Sequence, residues 1–178
     1  MFDKIFTSFV LDRNDWKCNG VILNDAVVCY TDGSKIEWTG LAGARVYVQT
    51  DGEELVLPLG HHTSVFQAEV FALLTCAKLE SLFLRNNCST AISSDSLAAI
   101  KAVSAYKANT GLAADAMTAL KALATFNSIR LIWVPGHCGT AGNEKVDILA
   151  KQASSSCFTA PEPSVGISVS TICSYISS

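Results

Sequence analysis

Long apolar runs are missing from this chain, and so is any surplus of positive charge. The most apolar stretch, residues 70–84, is interrupted by Lys78, Glu80 and Ser81, so it reads as a core segment and not as a bilayer span. The 7 cysteines are odd in number and irregularly spaced, with no Cys-x-x-Cys pair, which argues against a disulfide framework. Cys29 and Cys76 lie inside apolar segments and no secretory leader is read at the start. Reduced, buried thiols in a cytoplasmic or nuclear compartment are therefore expected. Lys and Arg total 13 against 16 acids, a formal net charge of -3, and Lys101, Lys107, Lys121 and Arg130 are scattered over separate segments. That balance argues against a strongly basic phosphate-binding face and predicts few simultaneous phosphate contacts for the isolated chain, the alternative being that folding gathers the scattered lysines into one ridge. What the chain does have is 178 residues with 49% apolar content, enough for one well-filled core and too short for two domains to be expected.

The order of elements is readable from periodicity. Residues 1–25 show no clear period and read as an extension. Phe6, Phe9, Val10 and Trp16 either pack along the domain edge or belong to an exposed linker from a longer polyprotein. Residues 27–31, 41–49 and 54–59 predict a three-stranded meander. Asp51-Gly52 supplies the second hairpin turn, and Pro58 places the third strand at the sheet edge. Ser64 and Gln67 form a capping box that opens a helix to about residue 85, with Phe66, Glu69, Ala72, Leu73, Cys76 and Phe83 on its buried face. A short strand at 90–94 leads into a helix carrying Leu97, Ile100, Val103 and Tyr106. A second amphipathic helix follows through Leu112, Ala116, Leu120 and Leu123, then a buried strand at 129–134. Strands alternating with helices in this half predict parallel pairing. A last helix is expected over 143–155, and 157–178 reads as a tail. The domain proper is thus expected to span 26–156.

Four acids stand at the edges of these elements: Asp32 after a strand-forming run, Glu69 early in the first helix, Asp95 at the end of a short strand, and Asp147 in the last helix. Each has a plain alternative. Asp32 could cap an Asp-Gly-Ser turn, Asp95 could cap the next helix, and Glu69 could be paired with an arginine. Acids gathered in this way are also what hard divalent cations need, since those take oxygen ligands. Bound cations would offset much of the negative charge. The neighbours His61 and His62 read as loop residues. His137, on a glycine-rich loop leading into the acid-bearing helix, reads either as a surface histidine or as a proton carrier.

Together, Tyr30-Thr31-Asp32-Gly33-Ser34, Gln67-Ala68-Glu69, Ser94-Asp95-Ser96 and Trp133-Val134-Pro135-Gly136-His137, followed by Gly142-Asn143-Glu144 and Asp147, resemble the type I ribonuclease H family. The stretch Ser64-Val65-Phe66-Gln67-Ala68-Glu69 is most similar to the ribonuclease H domains of non-LTR retrotransposon polyproteins. The resemblance implies an α/β, ribonuclease H-like fold: a five-stranded mixed sheet with helices on both faces. It implies an endonuclease that hydrolyses the RNA strand of RNA-DNA hybrids with two magnesium ions, for which manganese can substitute. Asp32 would be shared between the metals, Glu69 and Asp95 would hold one and Asp147 the other, with His137 moving protons. Asn143 would either read the substrate or cap its helix. The expected partners are the hybrid itself and a reverse transcriptase domain in the same polyprotein, with no membrane and a monomeric isolated domain. Val65 and Phe66 depart from the cellular members, which carry polar groove-touching residues there. The competing functions are a catalytically weak or structural ribonuclease H-like module acting only with its reverse transcriptase, and a transposase or integrase of the same superfamily.

Overall fold

The computed structural model describes residues 6–10, 25–83, 85–135, 143, 145–148, 165–167 and 172–173. Among the described residues, six strands and three helices of eight residues or more follow in the order β1 (Thr7–Val10), β2 (Val27–Lys35), β3 (Ala42–Val48), β4 (Glu53–Gly60), α1 (Val65–Leu82), β5 (Ser89–Ser94), α2 (Leu97–Ser104), α3 (Gly111–Ala124) and β6 (Ser128–Trp133), and residues 143 and 145–148 are helical as well. They form one mixed sheet in the order β1-β6-β5-β2-β3-β4. The meander β2-β3-β4 is antiparallel, as expected, and β5 and β6 add parallel to β2 through the helical crossovers. At the hairpin tip Gly52 has φ 75, and its N–H reaches the Val48 carbonyl at 2.8 Å, so the glycine supplies a backbone angle that a side chain would resist. Pro58 lies on β4, the outermost strand, where its missing donor is tolerated.

The expected count of five strands is corrected to six. The additional strand comes from the stretch read as an extension: β1 pairs parallel to β6, from Thr7 opposite Arg130 to Val10 opposite Trp133. Four residues carry too little period to announce a strand, and the edge position leaves its pattern half open. Phe6 is buried, Phe9 half-buried and Val10 exposed, while Trp16 lies outside the described residues.

The Ser64 capping box is present: the Ser64 hydroxyl accepts from the Gln67 N–H at 3.2 Å, and the Gln67 side chain accepts from the Ser64 N–H at 3.0 Å. Helix α1 packs on β2 and β3 on one side and on α3 on the other. It therefore buries two faces, with Ala68, Val70, Leu74 and Ala77 enclosed beside Glu69, Ala72, Leu73 and Cys76. Leu73 is fully buried, a contribution of roughly 1.5–3 kcal/mol for a side chain of its size. Phe66 and Phe83, expected on the buried face, are 36% and 38% exposed. One lies in the first turn of the helix, and the other is the C-cap residue beyond the last turn.

Cys29 and Cys76 are buried free thiols in the core between β2 and α1. Helix α2 stops at Ser104 because Ala105 turns extended, which leaves Tyr106 90% exposed instead of continuing the helix face. Among the described residues no helix is long and apolar enough to cross a membrane.

Candidate active site

β2 does not end at Asp32. Pairing with β3 continues through Gly33, Ser34 and Lys35, and the chain reverses only at 36–40, where Gly40 N–H meets the Ile36 carbonyl at 2.7 Å. The Asp-Gly-Ser sequence is thus strand, not turn, and the glycine has another purpose. A Cβ at Gly33 would lie 2.4 Å from the Glu69 backbone nitrogen and 2.6 Å from the Ala68 carbonyl carbon. Only a residue without a side chain lets α1 press onto β2 at this level, and that contact brings Glu69 level with Asp32. The Gly33 backbone N–H in turn donates to the Glu69 carboxylate.

Asp95 arrives from the third direction. It follows the last residue of β5, and Ser96, not Asp95, caps α2 by accepting from the Ala99 N–H at 3.3 Å. The Trp133 indole N–H holds the Asp95 carbonyl at 2.9 Å, and the Ser94 hydroxyl accepts from the Ser96 N–H at 3.1 Å. Bonds on both sides thus fix the backbone that carries the carboxylate.

One carboxylate oxygen each from Asp32, Glu69 and Asp95 lies within 4.8 Å of the other two. Asp32 and Glu69 are 5% and 6% exposed, and Asp95 is half-buried. At an effective dielectric of about 20, each charged pair at this range repels by roughly 3 kcal/mol. Burial first, then the negative charges of Asp32 and Asp95, push the Glu69 carboxyl well above the ordinary carboxylate range, against the opposing Gly33 N–H. Glu69 Oε2 is enclosed with no hydrogen-bond partner. An enclosed oxygen with no donor, in a nest of like charges, fits a small hard cation, around which ligand oxygens sit about 3–4 Å apart at metal distances of about 2.1 Å.

The alternative of Glu69 paired with an arginine is not what is found. Arg45 is instead buried directly opposite Asp32 in the β2–β3 register, bonded to Glu54 at 2.8 Å. The sequence reading passes over Arg45 and, while it counts Trp133 among the motif residues, gives it no role of its own. Their signals were a charged residue at an inward position of an alternating strand and an indole N–H needing a partner at a strand end.

Asp147 is half-buried and helical, along with Asn143 and residues 145, 146 and 148, but the three-acid group does not include it. Asn143 is 4% exposed, with its Oδ1 enclosed and unpartnered. His137 lies outside the described residues. His61 and His62 follow β4 and join no metal-ligating trio. Among the described residues the acid trio is the one such group.

The raised Glu69 carboxyl makes a testable statement about stability. The folded protein holds this proton more tightly than the unfolded chain, so metal-free stability falls as pH rises from the carboxylate range through the folded pKa. Glu69→Gln is therefore expected to melt several degrees higher than wild type at neutral pH without metal, at about 2–4 °C per kcal/mol relieved. The gap should close in acid, where both states are protonated. Melting curves across pH check this, and a variant that melts lower at neutral pH contradicts it.

A search of curated proteins found no match. The family model described as RNase H matches residues 24–155, a span that contains Asp32, Glu69, Asp95 and Asp147. With three of these acids converging where β2, α1 and the end of β5 meet, the chain belongs to the ribonuclease H family.

Proposed function

We propose that the chain is an endonuclease that cuts the RNA strand of RNA-DNA hybrids at the acid trio, and that it is the ribonuclease H module of a retroelement reverse transcriptase polyprotein. The observation that carries the catalytic reading is the Asp32, Glu69 and Asp95 cluster, built on a strand, a helix and a strand end and left with an unpartnered buried oxygen. Asp32, Glu69 and Asp95 would hold divalent metal together with Asp147; magnesium, with manganese as substitute, supplies a polarised water and charge neutralisation at the phosphate. The protein's own part is positional. Gly33 admits α1, Trp133 fixes the backbone at Asp95, and the low exposure of Asp32 and Glu69 keeps bulk water from screening the site.

His137 is assigned to proton transfer at the departing oxygen and to product release. His137→Ala should slow turnover by about 10²-fold while leaving metal-dependent cleavage detectable, the usual scale for losing a general acid or base. Single-turnover kinetics check it, and a loss as complete as that of an acid variant overturns the role.

Selectivity for RNA follows from the 2′-hydroxyls that a hybrid displays in its wide minor groove. Asn143 is proposed to accept from one of them, supported by its unpartnered Oδ1. Val65 and Phe66, 47% and 36% exposed at the start of α1, offer shape and not polarity toward the groove. The retroelement context rests on the Ser64–Glu69 stretch and on the low basic content, which leaves phosphate grip to a reverse transcriptase partner. As an isolated domain the chain is proposed to be an intracellular monomer.

Matched RNA-DNA, RNA-RNA and DNA-DNA duplexes, incubated with the chain and magnesium, test the substrate class. Cleavage confined to the RNA of the hybrid is expected, and equal cutting of DNA would point to a transposase-like nuclease. Cutting seen only when a reverse transcriptase is added would favour a module that is weak by itself.

A further inference from the structure

We propose that Glu54 is a positioning residue for Asp147, acting through Lys145. The proposal rests on the reading of Asp147 as the fourth metal-holding acid. Glu54 on β4 bridges two cations: its Oε2 meets the Arg45 guanidinium at 2.8 Å, and its Oε1 meets Lys145 Nζ at 2.6 Å. Lys145 also sits 4.0 Å from the centre of the Tyr47 ring, and Tyr47 stands directly across from Glu54 in the β3–β4 register. The last helix is thus fastened to one place on the meander by an ion pair and a ring contact made by the same ammonium group.

The sheet face matters. Gly33 presses against α1, so Asp32, its neighbour along β2, is directed to the opposite face. On that face Asp32 and Tyr30 lie beside Arg45 and Tyr47, and Tyr47 lies beside Glu54. Lys145 lands there. Successive helical residues are about 100° apart. With Val146 fully buried, Lys145 and Asp147 lean to opposite flanks of their helix. Lys145 leans toward β3 and β4, so Asp147 leans back toward β2 and β5, the side where Asp32 and Asp95 stand. Arg45 completes the device: buried opposite Asp32, it holds Glu54 from the sheet side and ties the latch to the strand that faces the first acid.

Glu54 and Lys145 are partly exposed, so their contact adds little to overall stability. Its proposed effect is on where Asp147 sits, hence on metal affinity. In Glu54→Gln, calorimetric Mn²⁺ binding should weaken by about tenfold. The magnesium concentration for half-maximal hybrid cleavage should rise to match, with turnover at saturating magnesium within about threefold of wild type and melting within about 3 °C. Lys145→Met should behave alike, the double variant should be no worse than either single change, and Lys145→Arg should keep the wild-type midpoint. Asp147→Asn is the companion control. If Asp147→Asn weakens Mn²⁺ binding and Glu54→Gln does not, the latch is wrong and the fourth-acid reading stands. If neither weakens it, the fourth-acid reading fails and takes the latch with it.

Discussion

Asp32→Asn is expected to abolish hydrolysis of the RNA strand, by at least about 10³-fold, while leaving the fold intact and its metal-free melting temperature equal to or above that of wild type. Two facts pull the readouts apart. Asp32 is the acid proposed to be shared between metals, so an amide there removes the charge that gathers them. It is also one of three carboxylates with oxygens within 4.8 Å of each other, so the same change relieves repulsion in the empty site. Asp95→Asn should behave in the same direction. Circular dichroism melts, read beside cleavage of a labelled hybrid, check both. A variant that melts well below wild type and still cuts would make these acids structural and place the chemistry elsewhere.

Gly33→Ala is expected to be the most damaging small substitution in the sheet. One methyl would have to occupy space 2.4 Å from the Glu69 nitrogen and 2.6 Å from the Ala68 carbonyl carbon. Both are backbone atoms of a buried helix, and neither can swing aside as a side chain would. Overpacking a filled core commonly costs about 1–3 kcal/mol, and a backbone clash belongs at or above the top of that range. At about 2–4 °C per kcal/mol for a chain of this size, the melting temperature should fall by about 10 °C. Because α1 must retreat to admit the methyl, Glu69 retreats with it. Cleavage should therefore fall sharply even at temperatures where the variant is folded. A melting temperature within about 2 °C of wild type would show that α1 does not depend on this contact.

Much of the fold was legible because the signals were local. The Ser64–Gln67 capping box, the Asp51-Gly52 hairpin and the apolar alternation of β2 to β4 each follow from a few adjacent residues. Glu69 was legible as a buried acid from helical periodicity alone. What escaped reading depended on partners distant in sequence. Asp-Gly-Ser looks like a turn until α1 is packed against it, and only then does Gly33 explain itself as the gap that admits a helix. β1 gains its identity from pairing with β6, more than a hundred residues later. The alternative of Asp95 as the cap of α2 falls one position short, since Ser96 beside it is an equally good capping residue and takes that place. The Arg45–Glu54–Lys145 chain needed both the strand register and the docking of the last helix, neither of which leaves a mark in composition.

The most direct test of the catalytic reading is the cleavage of an end-labelled RNA strand, annealed to DNA, by this chain with magnesium and with magnesium removed by chelation, the Asp32→Asn variant run alongside. Internal cuts in the RNA that require magnesium and vanish in the variant are predicted. Cutting that persists after chelation, or that the variant performs as well as wild type, would contradict the assignment of the acid cluster as a metal-dependent active site.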